Sequence, residues 1–248
     1  MAASGPRAGF AQASAPLAVA PAEQVAAPVR LEVVATSLAA TASAPSAYER
    51  FGKRALDLVL GSLLLLLALP LTLAVALAVF VTSGWPVLYR SERLRAGGAT
   101  FRMWKFRTMV RDADDLAERW KETHPERASE LLTRWRIEAD PRVTALGRFL
   151  RASSLDELPQ LWHVVRGEMS LVGPRPYLPR EAIPPEARAA ILSVKPGLTG
   201  PFQVCGRKTL TPTSRVEMEA AYGARVSLAS DLGLLLRTAR PLLTLDGR

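Results

Sequence analysis

Asp156 and Glu157 stand side by side in the stretch SSLDELPQLWHVVRGEMSLVGPRP, residues 153 to 176. Arg151 lies just before them, Arg166 after them, and Arg175 sits between Pro174 and Pro176. Ser154 precedes Glu157 by three residues, the spacing of a capping box, which predicts the first turn of a helix for both acids. Exposed amides and the helix dipole favour negative charge there, so both carboxylates are expected to be ionised. An ionised aspartate can act as a nucleophile or as a metal ligand. Adjacent helical residues point about 100° apart, so the pair is suited to separate roles rather than to sharing one proton. The plainer reading of the same four residues is a helix cap and nothing more.

The surrounding cations argue for more. Arg175 is flanked by prolines whose restricted backbone angles aim its guanidinium, and Arg148 and Arg151 form a patch on the other side of the acids. Guanidinium forks match phosphate oxygens, and a carboxylate beside them is placed for attack at phosphorus.

The elements that must position these residues belong to a chain of 248 residues, long enough for a core without staples. Its single cysteine, Cys205, cannot form an internal bridge, and His124 and His163 alone make no zinc cluster, so any metal is expected to be a hard, carboxylate-bound one. The net charge of +9 points to an anionic partner. From Leu58 to Val81 the chain runs 24 residues without a formal charge, enough to enter a bilayer, which marks a membrane protein. The run begins too late and is too long for a secretory signal.

Pro70 falls near its centre, where it removes a backbone hydrogen bond. A break there leaves arms of about 18 Å each, too short to cross a hydrocarbon core of about 30 Å. Arg50, Lys53 and Arg54 precede the run and Arg90, Arg93 and Arg95 follow it, and such balanced flanks fit a hairpin returning to one face. An ordinary kinked transmembrane helix remains the alternative on these grounds.

Of the first 48 residues, 27 are Ala, Pro or Ser, so residues 1–48 are expected to be a disordered leader. VLYRSERLRAGGATFRMWKFRTM predicts a β-hairpin turning at Gly97-Gly98. Arg111 to Glu138 reads as surface helix broken near Pro125. Prolines from Pro174 to Pro185 end the central helix and open an irregular stretch. Val226 to Leu243 is amphipathic, suited equally to lying on a membrane or to packing as a C-terminal helix.

DPRVTALGRFLRASSLDELPQLWHVVRGEMSLVGPRP, residues 140 to 176, resembles the core signature of the bacterial sugar transferases, the monotopic phosphoglycosyl transferases. KRALD at 53–57, Pro70 within the apolar run, KFRTM at 105–109 and KPGLTGPFQVCGR at 195–207 match the family in the same order. The resemblance covers about 200 residues, from Tyr48 to the C-terminus.

The resemblance implies a mostly α fold with a small β-hairpin (α+β), with interfacial amphipathic helices. Residues 49–90 would form a re-entrant helix hairpin broken at Pro70, and residues 91–248 a cytosolic catalytic region at the inner membrane. It implies transfer of a phosphosugar from a UDP-sugar to polyprenyl phosphate, releasing UMP, with downstream glycosyltransferases as further partners. Asp156 would be the nucleophile, forming an aspartyl-phosphosugar, and Asp156 and Glu157 would hold Mg²⁺. Arg148, Arg151, Arg175, Lys105 and Arg107 would bind substrate phosphates, and Gln203 and Arg207 would line the nucleotide or sugar pocket. His163 where Asn is usual, Pro201-Phe202 where Trp-Ala is frequent, and Cys205 for Asn are departures expected near that pocket.

A diphosphate donor needs its charge neutralised before a carboxylate can approach, and a lipid acceptor needs a site at the bilayer surface; cations and apolar run answer these in turn. A membrane-tethered binder of nucleic acid or anionic lipid would account for charge and anchor but not for acids set among arginines, so nucleic acid is not expected as a partner.

Overall fold

The computed structural model describes residues 45–123, 140–205 and 211–244. The leader up to residue 44, the segment around Pro125 and Arg207 lie outside the described residues.

After a π-helical turn at Tyr48–Gly52, one long helix, α1, runs Lys53–Ser83. Leucine, alanine and valine supply its helix propensity, and Pro70 sits inside it without dividing it into two elements. The expected pair of separate arms is therefore a single helix, about 46 Å long at 1.5 Å per residue. Only its two ends are buried. Asp57 and Gly61 are covered near the start, Val75 and Val79 near the finish, while Leu66 and Leu67 in the middle are each 67% exposed.

The predicted hairpin is present as β1 (Leu88–Leu94) and β2 (Thr100–Phe106), paired antiparallel from Leu88 opposite Phe106 to Leu94 opposite Thr100. Gly97 and Gly98 adopt φ of 79° and 81° at the turn, a conformation that glycine reaches without a Cβ penalty. The polar segment begins as a helix, α2 (Ala113–Thr123).

α3 (Ala145–Ser153) is capped by Thr144, whose hydroxyl accepts from the Gly147 amide at 2.9 Å. A Cβ on Gly147 would stand 2.0 Å from the Thr108 carbonyl oxygen, so only glycine lets α3 close on the strand leaving β2. Thr144 N–H also donates to Thr108 O at 3.0 Å. A 3₁₀ turn, Leu155–Glu157, and a short helix, α4 (Gln160–Arg166), follow.

β3 (Ser170–Val172) pairs in parallel with β4 (Gly197–Thr199), and α5 (Pro185–Leu192) lies in the crossover between them. Strands of three residues carry too little periodicity to be read from sequence: β3 falls where the central helix is expected to run on to Pro174, although that helix ends at Arg166, and β4 falls in the stretch expected to be irregular. α6 (Pro201–Val204), α7 (Pro212–Ala224) and α8 (Leu228–Thr244) complete the chain.

The main core gathers Phe101, Leu161, Val164, Met169, Leu171 and Tyr222, with Leu60, Leu65 and Ala68 of α1 packed on it. A second cluster joins Val75 and Val79 to Phe106 and Leu150. The rest of the fold therefore grips α1 towards both ends. α8 packs as the C-terminal helix, with Leu234 buried and Leu228, Leu232 and Leu236 exposed.

Candidate active site

Asp156 and Glu157 lie in the 3₁₀ turn between α3 and α4 and not in the first turn of a helix. Ser154 is the reason. It takes a left-handed conformation, φ 58°, that ends α3, and its side chain makes no cap bond. The Glu157 amide instead donates to the Ser154 carbonyl at 3.2 Å, so the capping box is not formed. α4 starts three residues beyond Glu157 with Pro159 at its N-cap.

The side chain that meets the acids comes from the hairpin. Lys105 Nζ donates to Glu157 Oε1 at 2.7 Å and stands 3.9 Å from Asp156 Oδ2. Asp156 is the more buried acid, with its side chain 11% exposed against 29% for Glu157. One ammonium thus faces both carboxylates, and Asp156 is the one held closer to the core.

The arginines are distributed around this centre in different ways. Arg151 Nε donates to Thr108 Oγ1 at 2.9 Å, tying α3 to the segment just after β2, while Arg148 Nη1 donates locally to the Val143 carbonyl at 3.1 Å. Arg107 turns to the end of α1, donating to the carbonyls of Ser83 and Gly84, where the helix dipole welcomes a cation. Arg166 is half exposed and pairs with Glu168 at 3.4 Å, not with the acids.

Arg175 donates from Nη2 to both Glu181 oxygens, at 3.1 and 2.9 Å, and Arg215 reaches Glu181 Oε1 at 2.7 Å. Burial pushes the Glu181 carboxyl up, but the charges of Arg175 and Arg215 outweigh it and hold it below its ordinary range. Glu219 accepts the Arg175 amide at 3.2 Å and the Tyr177 hydroxyl, and burial pushes its carboxyl up. The Arg175 guanidinium is held by Glu181 and its backbone amide by Glu219, two acids that no local spacing signals.

Strand pairing sets the loop that carries it. Gly173 N–H donates to Thr199 O at 2.9 Å and Gly197 N–H to Pro174 O at 2.8 Å, which joins VGPRP to KPGLTG. A Cβ on Gly197 would stand 2.1 Å from Gly173 N, so this approach requires glycine. Gln203 follows directly in α6, with its Oε1 buried and without a hydrogen-bond partner. His163 is not a pocket residue. Its Nδ1–H donates to Glu168 Oε2 at 2.6 Å and its Nε2 accepts the Trp104 amide at 3.1 Å, 2% exposed beneath β2.

Among the described residues no third carboxylate, cysteine or histidine joins Asp156 and Glu157 in a group able to hold a metal ion. Two adjacent carboxylates without further protein ligands suit Mg²⁺, which is commonly held by one or two carboxylates together with substrate phosphates and water.

An α+β protein with an acidic pair under a lysine is the class this geometry defines, and α1 with the turn before it is the one described segment long and apolar enough to cross a membrane. The chain belongs to the bacterial sugar transferase family, whose model matches residues 48–244. It is 39% identical over 204 residues to a UDP-galactose-lipid carrier transferase of Erwinia amylovora, covering 80% of this chain and 42% of that one. It is 38% identical over 187 residues to the exopolysaccharide production protein ExoY of Rhizobium meliloti, covering 75% and 83%. To a UDP-glucose:undecaprenyl-phosphate glucose-1-phosphate transferase of Caulobacter vibrioides it is 41% identical over 205 residues, covering 78% and 70%. The chain spans about two fifths of the length of several of the relatives it matches.

Proposed function

We propose that this protein transfers a phosphosugar from a UDP-sugar to polyprenyl phosphate at the membrane surface. The observation that carries this reading is the Lys105 ammonium at 2.7 Å from Glu157 and 3.9 Å from Asp156, on a scaffold of the sugar transferase family.

In the first step an oxygen of Asp156 attacks the phosphorus that bears the sugar. The bond from that phosphorus to the bridging oxygen breaks, and UMP leaves with the electron pair. In the second step a phosphate oxygen of the polyprenyl phosphate attacks the aspartyl phosphorus, freeing the carboxylate and forming polyprenyl-diphosphate-sugar. Glu157 keeps Lys105 beside the reacting phosphate, where its charge offsets the approach of one anion to another. Asp156 and Glu157 would hold Mg²⁺, which supplies charge neutralisation to the diphosphate. Arg175, its guanidinium held by Glu181 and its backbone amide by Glu219, is assigned to phosphate, and Gln203 to the nucleotide or sugar.

The membrane reading is a re-entrant one, with the catalytic body on the cytoplasmic face, where UDP-sugars are made. Its support is the double grip on α1. Arg54 donates to the Val164 and Val165 carbonyls and Asp57 accepts from Ser170 and Leu171 at one end, while Val79 packs on Phe106 and Leu150 at the other. A single body that holds both ends of a helix cannot lie on both sides of a bilayer about 30 Å thick. The exposed leucines between the grips then enter one leaflet.

The test is release of UMP from a panel of UDP-sugars with polyprenyl phosphate present. Asp156→Asn is expected to abolish release while keeping the fold, and wild-type protein with donor alone is expected to gain a phosphosugar mass on Asp156. Substantial UMP from Asp156→Asn would overturn the nucleophile assignment.

A further inference from the structure

The register of β1 on β2 puts Tyr89, Ser91 and Arg93 on the same face of the hairpin as Lys105, Met103 and Phe101. Lys105 of that face meets the acids. Arg93 lies on it too, four residues along β1 from the partner of Lys105, or roughly 13 Å at 3.3 Å per residue. Its Nε donates to Ser91 Oγ and its Nη1 to the Pro176 carbonyl, each at 3.1 Å. Those two bonds fix the guanidinium plane against the Pro-Arg-Pro loop. Nη2 has no hydrogen-bond partner, and no carboxylate lies within ion-pair distance of Arg93 among the described residues.

The acids around it have other partners: Arg175 and Arg215 face Glu181 and Glu219, and Lys105 faces both Glu157 and Asp156. Burial first, then the like charge of Arg175, push the Arg93 guanidinium down to about 10, with Glu181 and Glu157 acting in the opposite sense. It remains a cation at neutral pH, between the arginine–glutamate cluster and the acidic pair. A half-buried cation with no ion-pair partner among the described residues is unfavourable, and an incoming anion would relieve it.

We propose that Arg93 is a ligand of the donor diphosphate, binding a phosphate oxygen through Nη2. A guanidinium held by one hydroxyl and one backbone carbonyl presents its remaining N–H groups in a fixed direction, which suits phosphate better than a mobile ammonium does. This assignment rests on the sugar-phosphate transfer proposed above and adds a contact that the Pro-Arg-Pro signature does not contain.

The experiment compares Arg93→Gln and Arg93→Lys with wild type in the full-length, membrane-reconstituted protein, using the UDP-sugar that wild type turns over. Arg93→Gln is expected to raise the donor KM at least tenfold, leave the polyprenyl phosphate KM within about twofold, and leave the thermal midpoint in place. Arg93→Lys keeps the charge without the fork and is expected to raise the donor KM less. In an Asp156→Asn background, which binds without turnover, Arg93→Gln should weaken UDP-sugar binding by the same factor. An unchanged donor KM in both variants, or equal shifts for donor and acceptor, overturns the role of Arg93. If wild type itself releases no UMP from any UDP-sugar, the donor class fails and the inference falls with it.

Discussion

Lys53 and Asp231 are 178 residues apart in the chain, yet Nζ and Oδ2 stand 2.6 Å apart, with the Asp231 side chain fully covered. The pair joins the first turn of the apolar helix to the last helix of the fold. Tyr48 and Tyr222 hydroxyls also donate to Asp231, at 2.6 and 2.7 Å, so the carboxylate is fully engaged from three sides. Lys53→Met leaves that carboxylate buried without its cation, and the expected loss is about 3–5 kcal/mol. Denaturant titration in detergent measures it. Lys53→Met combined with Asp231→Leu should recover at least half of the loss, and a double variant no better than the single one would show that the pair contributes only through packing.

Acid should weaken the fold through Glu181. Its carboxyl is lower in the folded protein than in the unfolded chain, so it contributes stability above the ordinary glutamate range and loses it as pH falls through the folded value. The melting temperature should therefore drop as pH is lowered from about 5 to about 3. Glu219 acts in the opposite direction, because burial raises its carboxyl. Glu181→Gln should be less stable at neutral pH and flatter over the acid range, and an unchanged acid slope would count against this assignment.

Two glycines in helices should respond oppositely to alanine. Gly147→Ala drives a Cβ into the Thr108 carbonyl and is expected to lower stability by about 1–3 kcal/mol or more. It should lower activity as well, because Thr108 also holds Arg151. Gly233→Ala meets nothing within 4 Å and should stabilise α8 by about 0.5–1 kcal/mol. Urea midpoints of the two variants check both signs.

Topology is tested by labelling. Cysteines placed near residues 45 and 95, in a Cys205→Ser background, should both react from the cytoplasmic side. Pro70→Leu supplies the one missing amide of a helix that is already continuous and held at both ends, so both cysteines are expected to stay reactive from the cytoplasmic side. A leader exposed outside the membrane in the unmutated protein would replace the re-entrant reading with a single span.

Much of this protein is legible in its sequence because the deciding physics is local. Gly97-Gly98 turns a hairpin because positive φ is needed there, the uncharged run makes a long apolar helix, and the acids sit among cations wherever the chain takes them. Residues far apart in the chain meet only when elements dock, and no spacing announces it. Local spacing favoured a capping box at Ser154, yet the left-handed turn that directs α3 into the 3₁₀ segment puts the acids ahead of the helix instead. Docking brings Lys105 to Glu157 across 52 residues of chain, Glu181 and Glu219 to Arg175, and His163 beneath the Trp104 amide rather than into a pocket. The sequence by itself determined which groups are charged, apolar or turn-forming. The tertiary structure alone decided which charges face each other, because a buried ion pair depends on the position of both partners, and those positions are set by the packing of whole elements.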